Sequence, residues 1–258
     1  MDRFFRPGRP FYIKLAIGGF LLVPAANAVI GLLITVLGGS TPPGVLALLT
    51  TAMILNTAAG LALRWTDRFL VPCLLASPIF AMVGLVLGGF GLAHPDSFFD
   101  FVTSLVVVLG PLVAFIGCTG AIVQRRRGSL RTASGIQRRL VWAGAAALVL
   151  IAGTSAILSV ARRAAVDAPA GALVVETRVD EFVPSRLRAK PGDRLVIFVV
   201  NDDPFAHTFS IDALRLDEYI GPRARRLVRF VVPRHAARLE YWCAVTGHEG
   251  MTGRLDVG

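Results

Sequence analysis

Cysteine and histidine are scarce in this chain of 258 residues, which has three cysteines and four histidines. Three cysteines allow one disulfide bond at most, and Cys73 and Cys118 fall in long apolar segments, far in sequence from Cys243. The sequence is therefore not that of a small domain held together by several disulfides. His94 is the only histidine before residue 207, so the first two thirds of the chain cannot hold a haem between two histidines.

Charged residues are missing from long stretches of the first 160 residues. None occurs between Leu15 and Leu63, and a Pro- and Gly-containing turn divides this stretch in two. A helix that crosses the apolar core of a bilayer needs about 20 apolar residues. The sequence therefore predicts a transmembrane region over residues 1–160, with five spans at about 12–38, 45–63, 69–92, 98–123 and 139–160. Small residues such as Gly18-Gly19 and Gly144–Ala147 favour close helix packing.

The basic residues of this region lie in alternate connections between the predicted spans. They are Arg3, Arg6, Arg9, Lys14, Arg64, Arg68, Arg125, Arg126, Arg127, Arg131, Arg138 and Arg139, whereas the connections 39–44 and 93–97 have none. Because cytoplasmic loops are enriched in Lys and Arg, this pattern predicts a cytoplasmic N-terminus and an extracytoplasmic C-terminal region. Only Arg162 and Arg163 disagree. Ala26-Asn27-Ala28 resembles a signal-peptide cleavage site, but the apolar run continues beyond it, which favours a retained span.

The net charge of the chain, +10, comes entirely from the helical region. Residues 1–163 contain fourteen basic and four acidic residues, whereas residues 164–258 contain thirteen of each. The excess of arginine is thus explained by membrane topology and by contact with anionic lipids. We expect the lipid bilayer, and no nucleic acid, among the partners of the chain.

Four residues near the C-terminus have the chemistry of metal ligands: His207, Cys243, His248 and Met251. Two imidazoles, a thiolate and a weak axial thioether form the ligand set of blue-copper electron-transfer sites, whereas Mg²⁺ and Ca²⁺ prefer oxygen. A single cysteine on a strand is usually a small buried apolar residue, and a single methionine usually fills space in a core. The combination of four such residues in this order favours one copper ion.

Strand periodicity places these ligands on the apolar faces of strands. Leu239, Tyr241 and Cys243 alternate with polar or exposed positions, and His207, Phe209 and Ile211 share one face opposite Thr208, Ser210 and Asp212. Gly247 and Gly250 favour a tight loop between Cys243 and Met251. The pattern predicts that the ligands project into the interior of a β-sandwich.

Residues 172–258 resemble the cupredoxin family, the type 1 blue-copper domains of the plastocyanin and amicyanin kind. The resemblance is carried by the motifs Phe182-Val183-Pro184, Lys190-Pro191-Gly192-Asp193, Asn201, His207-Thr208-Phe209 and the Cys243-to-Met251 loop. It implies an all-β Greek-key sandwich for these residues. Together with the five-helix transmembrane bundle predicted from hydropathy and a linker over residues 161–171, the predicted fold class is mixed.

The resemblance also implies a role for each site residue. His207, Cys243 and His248 would be the equatorial ligands of one type 1 copper, Met251 would be its axial ligand, and Asn201 would brace the copper loops. His248 would present an exposed edge for electron transfer. Pro204, Phe205 and Val245 would then form an apolar docking patch around it, or else pack as part of the core.

Related metal sites lack their required residues here. A binuclear copper site like that of cytochrome oxidase subunit II needs a second cysteine four positions after Cys243, where this chain has Gly247. The His-x-His and His-Cys-His motifs of multicopper oxidases do not occur, and a structural zinc site would normally show paired cysteines.

The sequence thus favours an electron carrier, not an enzyme, that is anchored in a bacterial cytoplasmic membrane and passes single electrons to a redox partner protein at the outer face. The alternative is copper handling, meaning the sensing, buffering or delivery of copper to exported cuproenzymes. A third hypothesis is a metal-free relative of the cupredoxins that only makes protein contacts.

Overall fold

A computed structural model describes residues 10–36, 41, 43–128, 133–161, 167–178, 181–248 and 250–258 of the chain. Several residues used in the sequence analysis lie outside these described residues. They are Arg3, Arg6, Arg9, Arg131, Arg162 and Arg163, together with residues 162–166 of the predicted linker.

Among the described residues, six helices occupy the first part of the chain, and they follow the apolar runs. They are α1 (Phe11–Val36), α2 (Pro43–Trp65), α3 (Leu70–Leu87), α4 (Gly89–Ala93), α5 (Phe98–Arg126) and α6 (Gly135–Ala161). By length and composition, five helical segments are apolar enough to cross a membrane. The predicted fold class, a helical region followed by a β-sandwich, is confirmed.

One predicted span is divided in the structure. The sequence predicts a single span over residues 69–92, but α3 ends at Leu87 and the short α4 follows. Gly88 separates the two, with φ −95° and ψ 4°, and its N–H donates to the carbonyl of Gly84. Hydropathy records which residues are apolar and not their backbone angles, so an apolar run does not predict where a helix is interrupted.

The described residues form two compact units. Counting the described residues only, the first lies within Met1–Leu32, Leu49–Leu92 and Val102–Thr154, and the second within Leu33–Leu48, Ala93–Phe101 and Ser155–Gly258. The second unit therefore contains the β-strands together with the short helix-terminal segments 33–48 and 93–101.

Helices α1 and α5 pack closely within the first unit because glycines line their contact. A Cβ atom at Gly19 would lie 2.5 Å from the backbone nitrogen of Ala114, and one at Gly117 would overlap the backbone of Ala16. By contrast, a Cβ atom at Gly144 or Gly153 of α6 would have no neighbour within 4 Å among the described residues. Within the described residues, close packing thus occurs at Gly19 of α1 and Gly117 of α5, and not at Gly144 or Gly153 of α6, where the sequence also predicted it.

The described part of the second unit contains nine strands in two sheets. They are β1 (Leu173–Arg178), β2 (Glu181–Val183), β3 (Arg186–Ala189), β4 (Arg194–Asn201), β5 (His207–Ile211), β6 (Leu216–Ile220), β7 (Arg225–Val231), β8 (Ala237–Trp242) and β9 (Thr252–Val257). The strand orders are β2-β1-β4-β7 and β3-β9-β8-β5-β6. Strand β1 pairs in parallel with β4, and β3 with β9, while the other neighbours are antiparallel.

Aromatic side chains fill the core between the sheets. The ring of Tyr241 stacks on Phe209 with centroids 5.0 Å apart and meets Phe182 edge-on at 5.2 Å. The predicted alternation of β8 is confirmed, since Leu239 and Tyr241 are buried while Arg238 and Glu240 are exposed. Strand β5 differs from the prediction in being buried on both faces. On the face opposite His207, the hydroxyls of Thr208 and Ser210 lie 3.0 Å apart, and Ser210 donates to Asp217.

Candidate metal centre

Three predicted ligands meet at one end of the sandwich. The Nδ1 atoms of His207 and His248 are 3.1 Å apart, and each lies 3.8 Å from the Sγ atom of Cys243. The three ligand atoms all fall within 4.8 Å of one another. Atoms bound at about 2.0–2.3 Å to one ion are at most about 4.6 Å apart, so these separations fit three ligands of a single ion.

All four predicted ligand side chains are inaccessible to solvent. His207, His248 and Met251 are 0% exposed, and Cys243 is 1% exposed. Two imidazoles and a thiol are polar groups that rarely lie together in a core unless they bond to each other or to an ion. The arrangement therefore has the burial and the donor chemistry of a metal centre.

The loop between β8 and β9 brings three of these residues together. Pairing of Trp242 with Thr252 closes the loop, and the N–H of Cys243 donates to the carbonyl of Met251 at 3.1 Å. Inside the loop, the N–H of Met251 donates to the carbonyl of His248 at 2.9 Å. Gly247 has φ +91°, a left-handed conformation that residues with a Cβ rarely adopt. The hairpin thus holds Cys243, His248 and Met251 at the same end of the sheet.

His207 is the first residue of β5, and the carboxylate of Asp203 orients its ring. Its Nε2 atom lies 3.0 Å from the carboxylate Oδ2 of Asp203, so Nδ1 faces Cys243. A carboxylate on the outer nitrogen of a histidine is a common way to fix the tautomer and orientation of a metal ligand. The N–H of Thr208 donates to the Cys243 sulfur at 3.4 Å, which adds a second restraint.

Asn201 ties the loop before His207 to the sheets. Its Nδ2 group donates to the carbonyls of Phe205 and Gly221, both at 2.8 Å, and its Oδ1 accepts the N–H of Asp203 at 2.8 Å. Oδ1 also accepts the Thr177 hydroxyl at 3.1 Å. Asn201 is fully buried, so each of these bonds satisfies a group that water cannot reach. These bonds hold the loop before His207 against the sheets, and the bracing of a copper site by Asn201 stays a prediction.

The short distance between Cys243 and His207 changes the pKa of both side chains. Burial raises the pKa of the Cys243 thiol, but hydrogen bonds with His207 and His248 outweigh it and lower the pKa to about 6. Burial lowers the pKa of His207, but hydrogen bonds with Asp203 and Cys243 outweigh it and raise the pKa to about 9. The two groups therefore form a thiolate–imidazolium pair near neutral pH.

The edge of His248 is closed, contrary to the expectation of an exposed edge. Its Nε2 atom is buried and has no hydrogen-bond partner among the described residues. Phe205 and Val245 are only 4% and 5% exposed, and Pro204 is buried as well. The three apolar residues thus pack in the interior of the second unit and do not form a free docking patch.

Sequence reasoning did not identify three other groups that contact the cluster or its loops: Asp203, the backbone of Thr208, and Asp100. The only signal for Asp100 is an acidic residue in the first turn of an otherwise apolar helix. The remaining candidates lie elsewhere, since Cys73 and Cys118 are in the apolar core of the first unit and His235 is exposed.

No family model matches the chain, and the curated proteins contain no match. Solved structures similar to the C-terminal region are cupredoxins. A reduced Cu(I) form of an amicyanin variant at pH 4 is 18% identical, covers 36% of this chain and 87% of its own, and has a TM-score of 0.30. An oxidised amicyanin variant is 20% identical and covers 37% and 90%, with a TM-score of 0.30. The metal-binding domain of the Cu(I)-exporting P-type ATPase CopA from Streptococcus pneumoniae D39, with Cu(I), is 17% identical and covers 36% and 91%, with a TM-score of 0.31.

Proposed function

We propose that this chain is a membrane-anchored copper protein that carries single electrons. In this proposal His207, Cys243 and His248 bind one type 1 copper, and Met251 is its axial ligand. The observation that carries the proposal is the buried triangle of two Nδ1 atoms and one Sγ atom, with sides of 3.1, 3.8 and 3.8 Å.

The donor set supports copper over other common ions. A thiolate and two imidazoles suit copper, whereas a site for Mg²⁺ or Ca²⁺ would need oxygen ligands. Copper, when bound, would supply a reversible one-electron couple. The residues of this chain would keep the site in one geometry, because Asp203 fixes the ring of His207 and the β8–β9 hairpin fixes the loop of Cys243.

The membrane setting of the proposal rests on the helices. Five of them are long and apolar enough to cross a bilayer. The alternation of arginine-rich and arginine-free connections supports a cytoplasmic N-terminus, with the copper region at the outer face of the cytoplasmic membrane. A redox partner would then be a protein at that face.

Copper handling remains a second candidate function, and one observation favours it. The Nε2 edge of His248 is buried, whereas a carrier that meets diffusing proteins through this edge needs it to be accessible. Sensing, buffering or delivery of copper would instead benefit from a closed site that opens only to release the ion.

A redox titration of the copper-loaded full-length protein in detergent distinguishes the two functions. For an electron carrier we expect a reversible one-electron wave and a spectrum that returns unchanged after repeated reduction and oxidation. Tight binding of Cu(I) without a reversible couple would support copper handling. A matched Met251→Leu variant should keep the copper and change its potential if Met251 is the axial ligand.

A further inference from the structure

Two covering segments that precede the β-strands, residues 43–48 and 93–101, pack against the loops that flank the site. Gly44 lies directly on the β8–β9 loop, because a Cβ atom at Gly44 would be 2.5 Å from the carbonyl oxygen of Gly247. A Cβ atom at Gly247 would in turn be 2.6 Å from a methyl carbon of Val45. Phe99 packs against Phe205 with ring centroids 6.0 Å apart. All of these residues belong to the second compact unit.

Asp100, in the first turn of α5, makes a polar contact between the covering segment 93–101 and the loop before His207. Its Oδ2 atom accepts the backbone N–H of Ala206 at 3.0 Å and also accepts the hydroxyl of Ser97. Ala206 is the residue immediately before His207. The carboxyl group of Asp100 also lies within electrostatic range of the imidazoles of His207 and His248.

An acidic residue in the first turn of a helix has a simpler explanation. It interacts favourably with the unpaired N–H groups at the helix N-terminus, and Ser97 with Asp100 has the spacing of a helix cap. A cap, however, does not account for a hydrogen bond to a residue 106 positions away in the chain. It also does not account for a carboxyl group within electrostatic range of two buried imidazoles.

We propose that Asp100 is a positioning residue of the metal centre, supplied by the helical part of the chain, which fixes the backbone before His207 and favours the oxidised ion. This inference rests on the proposed copper function. The positive charge of the ion favours the ionised form of the buried Asp100 carboxyl group. The ionised carboxylate in turn stabilises the form of the ion with the larger positive charge, and it does so more strongly in a buried site than in water. The copper potential would therefore depend on a helix as well as on the sandwich that contains the ligands.

The variants Asp100→Asn and Asp202→Asn test this role in the copper-loaded, full-length protein. Asp100→Asn keeps an oxygen that can accept the N–H of Ala206 but removes the charge. We expect the ratio of the Cu(II) and Cu(I) association constants to fall about tenfold, which raises the reduction potential by about 59 mV for a one-electron couple. Asp202 is the matched control, because it lies in the same loop as His207 and its side chain is 72% exposed.

A second pair of variants tests whether the covering segment 43–48 is needed to close the site. Gly44→Ala places a methyl group against the backbone of Gly247, whereas Gly31→Ala places one in open space. We expect a chelator to remove copper faster from Gly44→Ala, by about tenfold, and at the wild-type rate from Gly31→Ala. Equal rates of copper removal from Gly44→Ala and the wild type would show that residues 43–48 do not close the site.

Histidine side-chain NMR of the copper-free protein supplies a readout that needs no copper. We expect the ¹⁵N signals of His207 and His248 to move in Asp100→Asn and to stay in Asp202→Asn. Unchanged signals and an unchanged potential in Asp100→Asn would overturn the inference while leaving a copper-binding wild type intact. If the wild type binds no copper, the proposed function fails, and the histidine signals alone decide whether Asp100 positions the site. An equal shift in both variants would also overturn the inference.

Discussion

Asn201 connects four segments of the sandwich through hydrogen bonds to buried groups. Replacement by Ala leaves the carbonyl of Phe205 and the N–H of Asp203 without their partner. We expect Asn201→Ala to lower the free energy of unfolding of the β-sandwich by about 1–3 kcal/mol, because buried unpaired groups are costly. Near-ultraviolet circular dichroism during thermal unfolding measures this loss.

Thr177→Val provides the control for Asn201. It removes only the hydroxyl that donates to Oδ1 of Asn201, and the other bonds of the amide stay in place. We expect a smaller loss, of about 0.5–1.5 kcal/mol. A loss in Asn201→Ala no larger than that in Thr177→Val would contradict the bracing role.

The protonation of His207 predicts how copper affinity depends on pH. The pKa of His207 is raised to about 9, so at pH 7 the copper-free ring carries a proton that must leave before Nδ1 can bind an ion. The Cys243 thiol, with a pKa lowered to about 6, is already ionised above pH 7. Affinity should therefore rise about tenfold per pH unit from pH 7 to pH 9 and then level off.

Competition with a Cu(I) chelator at several pH values measures this dependence. His207→Asn lacks one ligand and should bind more weakly over the whole window. It also removes the partner that lowers the pKa of Cys243, so the thiol and not the imidazole should then set the remaining pH dependence. An affinity of the wild type that stays constant between pH 7 and pH 9 would rule out the thiolate–imidazolium pair.

Among single residues, the candidate ligands and Asn201 gave the clearest signals in the sequence. His207, Cys243, His248, Met251 and Asn201 have side-chain types and spacings that indicate their chemistry, and the structure brings the first three within 4.8 Å. Asp203 and Asp100 were not predicted, because an acidic residue in a loop or in a helix end has many possible partners. Only the folded chain brings Asp100 to Ala206, which is far away in sequence.

At the scale of single elements, the β8–β9 hairpin is the part on which the site depends most. Gly253 of β9 pairs with Tyr241 of β8, and a Cβ atom at Gly253 would overlap the ring of Tyr241. The hydroxyl of Tyr241 donates to the carbonyl of Pro184 at 2.8 Å, which holds the other end of the side chain in place. We expect Gly253→Ala to cost about 1–3 kcal/mol of stability through overpacking and to weaken copper binding.

Gly221→Ala is a matched substitution in the same sandwich. A Cβ atom there would make only ordinary contacts, at 3.6 Å and beyond. Thermal unfolding and copper content should therefore be nearly unchanged in Gly221→Ala. A similar effect of both substitutions would mean that the contact between Gly253 and Tyr241 is not what holds the hairpin.

Hydropathy predicted the position of most helices but not the interruption between α3 and α4. The apolar runs gave five helical segments, while the division at Gly88 depends on backbone angles that no hydropathy pattern records. Alternation located β8 correctly, yet β5 is buried on both faces. Its polar residues are accommodated by hydrogen bonds, such as that from Ser210 to Asp217 at 2.6 Å, which depend on the neighbouring strand.

For the whole molecule, the arginine distribution predicts the orientation of the chain in the membrane. Alkaline phosphatase fused after Gly258 should be active, because this enzyme needs export to fold, and a fusion in the connection after Gly128 should be inactive. Green fluorescent protein at the same two sites should give the opposite result. An active phosphatase after Gly128 would contradict the proposed topology.

The closed edge of His248 is also a property of the whole chain. The resemblance to free-standing copper domains implied an exposed edge, because such domains have no preceding helices to cover it. Residues 43–48 and 93–101 belong to the same compact unit as the strands, and Gly44 contacts the loop that contains His248. This arrangement depends on long-range folding and is not visible in any local pattern.

The visible absorption spectrum of the copper-loaded, full-length protein tests the central claim most directly. We predict one copper per chain and an intense thiolate-to-copper band that disappears on reduction, is absent in Cys243→Ser and is retained in Cys118→Ser. A wild-type protein that binds no stoichiometric copper, or a band that persists in Cys243→Ser, would contradict a copper centre built on His207, Cys243 and His248.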